Sequence, residues 1–238
     1  GGCCGCVQVV LRCAAVGGGV GAGALLFNPC VRYGGLDFPL LTAATEFCGA
    51  VFGDGNRFVD AAFLGNAAGR DGGAVSGEFL HFSSSLFLGN TAGRSGGAVE
   101  GRELTFADVT LSGNTAGYQG GAVKASDCHF DDVRFMVNAA AWHGGAFAGT
   151  HDHANMCVFR DNAAGVGGGA VFGFHNHLDR AAFSGNSVVG GSGWAVDGGY
   201  NHFDRVEFGV SDGGGCPAGD NDYCCSKSRT LNAGRDFW

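Results

Sequence analysis

The chain has 238 residues, of which 47 are glycine, 20 phenylalanine and only 3 proline, and its formal charge is −8. Collagen is excluded by the scarcity of proline, and a disordered glycine linker by the aromatic mass. Arginine supplies 12 of the 14 basic residues, scattered along the chain, so no clustered positive groove for nucleic acid is expected, and no apolar run reaches the roughly 18–20 residues of a membrane span.

In chain order, the first feature is a cysteine-rich segment. Cys3, Cys4, Cys6, Cys13, Cys30 and Cys48 lie in the first fifth, Cys128 and Cys157 in the middle, and Cys216, Cys224 and Cys225 near the end. Terminal clusters point to disulfide-stapled ends in an oxidising compartment, with reduced buried thiols as the alternative. Residues 1–24 and 211–238 therefore read as caps around a repeat region at 25–210. With no initiator methionine and no secretory n-region or h-region, the chain reads as processed or as part of something longer.

From Cys48 onward the chain repeats every 24 residues. Gly72-Gly73-Ala74-Val75 recurs at Gly96, Gly120, Gly144 (ending in Phe147) and Gly168. It has a variant at Cys48-Gly49-Ala50-Val51 and a shifted copy at Gly193-Trp194-Ala195-Val196. A second motif, Phe-x-x-Asn, places Asn66, Asn90, Asn114, Asn138, Asn162 and Asn186 in register, with Leu111 replacing the phenylalanine once. A fixed period of this length means a solenoid. Leucine columns are absent, and the units are too short and glycine-rich for helical repeats.

Three strands per unit follow from period-two alternation. The first carries the column Val51, Val75, Val99, Val123, Phe147, Val171 and Val196. Its small partners Gly53, Gly77, Gly101, Ala125, Gly149 and Gly173 leave room for facing phenylalanines. The intervening Phe52, Ser76, Glu100, Lys124, Ala148, Phe172 and Asp197 face solvent. The second strand carries Phe58, Phe82, Phe106, Phe130, Ala154, Leu178 and Phe203. The third carries Ala61 to Val206 and, two residues on, Phe63 to Phe208. Stacking such units in register makes an all-β, right-handed parallel β-helix of about seven to eight coils. Gly73 and its copies serve positive φ or close backbone approach. The asparagines form an internal ladder, each amide bonding its copy in the next coil.

The Gly-Gly-Ala-Val and Phe-x-x-Asn motifs, over roughly 48–210, resemble the repeats of the chlamydial polymorphic outer-membrane proteins. That resemblance implies the β-helical passenger of a surface-exposed autotransporter acting in adhesion, and it carries over no catalytic residues. No β-barrel translocator is recognisable in the chain, and its cysteine-rich ends depart from the family pattern.

Candidate chemistry centres on histidine. Asp127-Cys128-His129, His151-Asp152-His153 and His175-Asn176-His177 are in register. Strand parity places His129, His153 and His177 outward, with Asp127, His151 and His175 beside them. Imidazoles at sheet spacing would share Zn²⁺ or Cu²⁺, whereas a solvated histidine ladder that repeats because the unit repeats is the plainer reading; His81 and His202 continue the column. Asp108, Asp131, Asp132, Asp179 and Asp204 are the acidic candidates for a polysaccharide lyase or hydrolase, but they read as turn residues, and no inserted loop builds a cleft. The expected function is a structural or adhesive, non-enzymatic module, extracellular or at the cell surface and without a cofactor. It would meet protein partners, copies of itself or surface glycans through coil ends or flat faces. A carbohydrate-active enzyme is the runner-up and a metal-binding histidine lattice the third reading.

Overall fold

A computed structural model of the chain describes residues 49–191 and 193–209, together with the strands Val10–Leu11 and Arg229–Leu231. Every regular element among the described residues is a strand. The strands stack into four sheets, not three per coil as expected. The first sheet runs from Val51–Phe52 through Val99–Arg102 to Val196–Asp197, and the second from Arg57–Val59 to His202–Asp204, each with seven strands. The third contains Ala62–Leu64 and its copies to Val206–Phe208. The fourth, unexpected sheet is built of two-residue strands such as Thr91–Ala92 and Thr115–Ala116 just after each ladder asparagine. Two residues are too few to show alternation in a sequence.

Seven coils are thus stacked as a parallel β-solenoid. Register is kept at one period: Val99 pairs with Val75 on one side and Val123 on the other, and Phe106 lies between Phe82 and Phe130. The third sheet alone extends to nine strands. Val10–Leu11 adds in parallel to Ala62–Phe63, and Arg229–Leu231 adds antiparallel to Val206–Phe208. The rest of the expected caps at 1–24 and 211–238, with every cysteine except Cys128 and Cys157, lies outside the described residues. Those two are buried and free.

Each coil turns four corners, and each corner uses one residue at positive φ. Phe79, Glu103, Asp127, His151, His175 and Tyr200 make the corner before the second sheet, and Asp60, Ser84, Asp108, Asp132, Met156, Arg180 and Arg205 the one before the third. The corner before the fourth sheet uses Gly65, Gly89, Gly113 and Gly185, but Val137 and Asp161 in two coils. Gly72, Gly96, Gly120, Gly144, Gly168 and Gly193 close the coil.

The two glycines of the repeated Gly-Gly pair therefore do different work. Gly72 supplies positive φ, whereas a Cβ on Gly73 would overlap the carbonyl oxygens of Gly97 and Thr91. A second expectation is corrected at Gly77: the space a Cβ would need is filled by the Gly53 backbone carbonyl of the coil below, not by phenylalanines. The outward column of the first strand also differs from expectation. Phe52 is 68% exposed, but Ser76 and Ala148 are buried. The closing corner folds back onto this column, so that a Cβ on Gly72 or Gly144 would press on the Cβ of Ser76 or Ala148.

The core is two columns of stacked rings meeting edge to face. Phe63 and Phe87 stack at 4.6 Å, and Phe135, Phe159 and Phe183 at 4.9 and 4.7 Å. Phe58, Phe82, Phe106 and Phe130 stack at 5.1, 4.9 and 5.0 Å. Phe82 meets Phe87 at 78°, a favoured aromatic geometry. One coil exchanges volumes: Ala154 replaces the phenylalanine of the second sheet, Phe147 replaces the valine of the first, and Phe147 packs edge-on against Phe130. Volume is conserved within that layer, the kind of swap a close-packed core tolerates.

Val137 is the one β-branched residue at positive φ among the described residues, at +56°, and it is 60% exposed. A left-handed conformation costs an L-residue roughly 1–2 kcal/mol. Val137→Gly should therefore raise the urea midpoint, by about 1 kcal/mol in stability. Val158→Gly, in a strand of the third sheet, should lower it.

Candidate functional site: polar ladders and the imidazole face

Inside the solenoid, the interior ladder asparagines Asn90, Asn114, Asn138 and Asn162 use all their side-chain hydrogen-bonding capacity. The Nδ2 of Asn66 donates to Oδ1 of Asn90 at 2.9 Å, and the same bond links Asn90, Asn114, Asn138, Asn162 and Asn186 in turn at 2.9–3.0 Å. Each Oδ1 also accepts the backbone N–H of the asparagine one coil earlier, as Asn138 does from Asn114 at 3.0 Å. The second Nδ2 hydrogen goes to a backbone carbonyl 27 residues back, from Asn138 to Leu111 at 2.9 Å. This is a buried polar network with its partners supplied by repetition.

A second inner column was not singled out by sequence reasoning. It begins with Asn56, continues as Leu80 and Leu104, and turns polar at Cys128, Asp152, Asn176 and Asn201. The Asn176 backbone N–H donates to Asn201 Oδ1, the Asp152 N–H to Asn176 Oδ1, and the Cys128 N–H to Asp152 Oδ1, at 3.0, 3.0 and 2.8 Å. The Leu104 N–H then donates to Cys128 Sγ at 3.3 Å. The signal was present at the middle positions of Asp-Cys-His, His-Asp-His and His-Asn-His, which strand parity turns inward.

Asp152 occupies an asparagine's place in this column. Asn176 Nδ2 donates to the Gly149 carbonyl 27 residues back, at 3.4 Å, and Asn201 Nδ2 to the Gly173 carbonyl at 2.9 Å. In Asp152 the corresponding atom, Oδ2, is buried and has no partner. Burial pushes this carboxyl up to about 8, opposed by hydrogen bonds from Cys128 and by Lys124, and reinforced by Asp127. Near neutrality Asp152 therefore holds a proton. The protonated oxygen is a donor where asparagine has its amide. Burial likewise raises the Cys128 thiol, helped by the adjacent Asp152, and the Cys157 thiol. Neither has the character of a reactive thiolate.

Outside, six of the eight histidines separate into two stacks. His129, His153, His177 and His202 occupy the first outward position of the second sheet and pair in register. His151 and His175 were expected to share their strand; they sit instead at the preceding corner, at φ of +59° and +58°. There His151, His175 and Tyr200 form a nearly parallel stack, with rings 5.1 and 5.0 Å apart. Within the sheet column the ring separations are 5.9, 4.8 and 4.7 Å from His129 to His202. Burial, then the imidazoles of His153 and His202, lower the pKa of His177, while Asp179 and Asp204 oppose the shift. Among the described residues no three His, Cys, Asp or Glu side chains converge in a metal-binding arrangement.

The acidic candidates line the corner before the third sheet, in company with arginine or asparagine. Arg134 reaches Asp108 and Asp132 at 3.6 and 3.2 Å. Asp179 lies between Arg180 and Arg205 at 3.1 and 2.8 Å, and Arg205 also reaches Asp204 at 3.3 Å. Asp131 accepts from Asn155 Nδ2 at 2.6 Å.

Comparison with known proteins places one repeat directly. The family model for the Chlamydia polymorphic membrane protein repeat matches residues 108–126, which run from the corner residue Asp108 to the end of the strand Val123–Ser126. The matched span contains Asn114, the left-handed corner Gly120 and the paired Gly121. No curated protein and no solved structure shows significant similarity to the chain.

Two outcomes follow from the inner columns. Asn138→Ala leaves the Asn114 amide, the Asn114 backbone N–H and the Leu111 carbonyl without their bonds, and should cost about 3–5 kcal/mol by urea denaturation. Asn155→Ala, at the exposed ion-paired corner, should stay within about 0.5 kcal/mol of the parent. For Asp152, a folded pKa raised from 3.8 to about 8 means that the native state holds the proton more tightly than the unfolded chain. Its neutral form is fully accommodated below the unfolded value, and stability falls as pH rises from about 4 through about 8. Asp152→Asn should remove that decline, so its advantage over the parent should grow between pH 5 and 8 and level off above. An advantage independent of pH would refute a protonated carboxyl in the ladder.

Proposed function

We propose that the chain is a structural or adhesive cell-surface module without catalytic activity, a reading supported by the match of residues 108–126 to the Chlamydia polymorphic membrane protein repeat. In this reading the inner columns are committed to holding the stack, and the outer faces are free to vary. The observation that carries it is the repeat match at residues 108–126, within a solenoid whose corner residues differ from coil to coil. The outward side of the second sheet carries Arg57, His81, Thr105, His129, His153, His177 and His202 in one column. Parallel strands held in register give such a face a fixed spacing, so it meets a partner with little ordering cost. The partners of this reading are proteins, copies of the chain or glycans at the cell surface.

The company of the carboxylates supports the non-catalytic part of this reading. A glycosidase pairs one protonated acid with one free carboxylate across its substrate. Here Asp108, Asp132, Asp179 and Asp204 each lie beside an arginine. The buried Asp152 is 3% exposed, where no sugar reaches it.

The test is adhesion by the folded chain. Beads coated with it should bind cultured cells or extracellular-matrix proteins saturably and in competition with free chain. Beads carrying heat-unfolded chain should bind no more than albumin-coated ones. Equal binding by folded and unfolded chain, or release of reducing sugar from polysaccharides by the folded chain, would overturn the reading.

A further inference from the structure

The second-sheet histidine column is not uniform. The rings of His129 and His153 are nearly parallel, at 13°, and so are those of His151 and His175, at 6°. Parallel rings present faces to each other, and their nitrogens do not converge. The rings of His153 and His177 are inclined at 53° and those of His177 and His202 at 88°, with centres 4.8 and 4.7 Å apart. Rings inclined to each other at this spacing need only rotation about χ2 to bring one nitrogen of each toward a common point. Two imidazole nitrogens each about 2.0 Å from one ion and about 90° apart around it put the ring centres about 4.5 Å apart, close to these separations.

We propose that His177, together with the imidazole of His153 or His202 in an adjacent coil, chelates a late divalent transition-metal ion such as Cu²⁺ on the outer face of the second sheet. Two imidazoles side by side suit the planar coordination of such an ion, with water in the remaining positions, and nitrogen ligands favour the copper end of the divalent series. Two protein ligands leave the other positions to exchangeable water, and among the described residues no third His, Cys, Asp or Glu converges there. Metal binding requires neutral imidazole. Asp179 and Asp204 stand two residues further along the same strands, on the same face. Their carboxylates offset the cations Arg180 and Arg205 that also line this corner.

The site is tested on the full chain, with accessible thiols alkylated, by titration with CuCl₂ at pH 7. Electron paramagnetic resonance should show superhyperfine splitting from two nitrogens. Substoichiometric Cu²⁺ should broaden the ring-proton NMR signals of His177 and a neighbouring histidine before that of His81, whose column neighbours are Arg57 and Thr105. His177→Gln should weaken binding by about 100-fold, because the second imidazole otherwise binds intramolecularly. His81→Gln should leave it unchanged. The double variant His153→Gln/His202→Gln keeps His177 and removes both partners, and should show the same loss. Binding that survives His177→Gln, or no binding tighter than at His81, would overturn the proposal.

Discussion

Register is the constraint on which everything else in this molecule depends. Each coil hydrogen-bonds to copies of itself one period away, so a residue at any position sits between the residues of its own column. Gly96 N–H donates to the Gln119 carbonyl, and Gly120 N–H to that of His143, both at 3.0 Å. A buried polar group is then affordable only when its column supplies partners. The asparagine ladder meets that condition because each amide is both donor and acceptor, and every rung repeats the geometry of the last. The column through Leu104, Cys128, Asp152 and Asn176 shows what happens where a ladder begins partway along the stack. A thiol and a protonated carboxyl stand between the leucines and the asparagines, and the mismatch surfaces as the unpartnered Oδ2 of Asp152.

The same register explains the glycine content. A solenoid of this cross-section needs a left-handed residue at each corner and bare backbone wherever one coil's carbonyl presses on the next. Only some of these places demand glycine. Among the described residues the closing corner keeps it at Gly72, Gly96, Gly120, Gly144, Gly168 and Gly193, whereas the corners before the second and third sheets accept aspartate, histidine, arginine and even phenylalanine at positive φ. Those residues point outward, so the cost of their backbone conformation is offset by the stacking of the whole coil. Where side chains share a layer, as with Phe147 and Ala154, the core adjusts by trading volume between sheets within one coil.

In the proposed reading, function belongs to the outside. The interior columns are filled by phenylalanine, valine and asparagine that hold the coils together. The outer columns change from coil to coil: Arg57 gives way to His81, then Thr105, then four histidines in succession. The solenoid thus separates a mechanical interior, repeated from coil to coil, from a variable lattice of side chains at fixed spacing. The histidine column and the separate stack of His151, His175 and Tyr200 are the parts of that lattice with chemistry of their own.

Much of this was written in the sequence in a readable form. A 24-residue period, alternating apolar columns and the Phe-x-x-Asn repeat specify a parallel solenoid with an asparagine ladder, because identical residues at identical spacing can bury their faces only by stacking. The histidine column was legible for the same reason. What the sequence left open is what depends on neighbours in three dimensions. A two-residue strand has no periodicity to read, so the fourth sheet emerges only once the coils are stacked. The backbone of His151 and His175 is left-handed because a corner falls there, and neither residue type announces it. Gly77 is small because a carbonyl from the coil below occupies its side-chain space, and the inclination of His177 against its neighbours is set by packing across strands. Composition and period determined the repeat and the direction of stacking; the contacts between coils decided where the chain turns and which side chains meet.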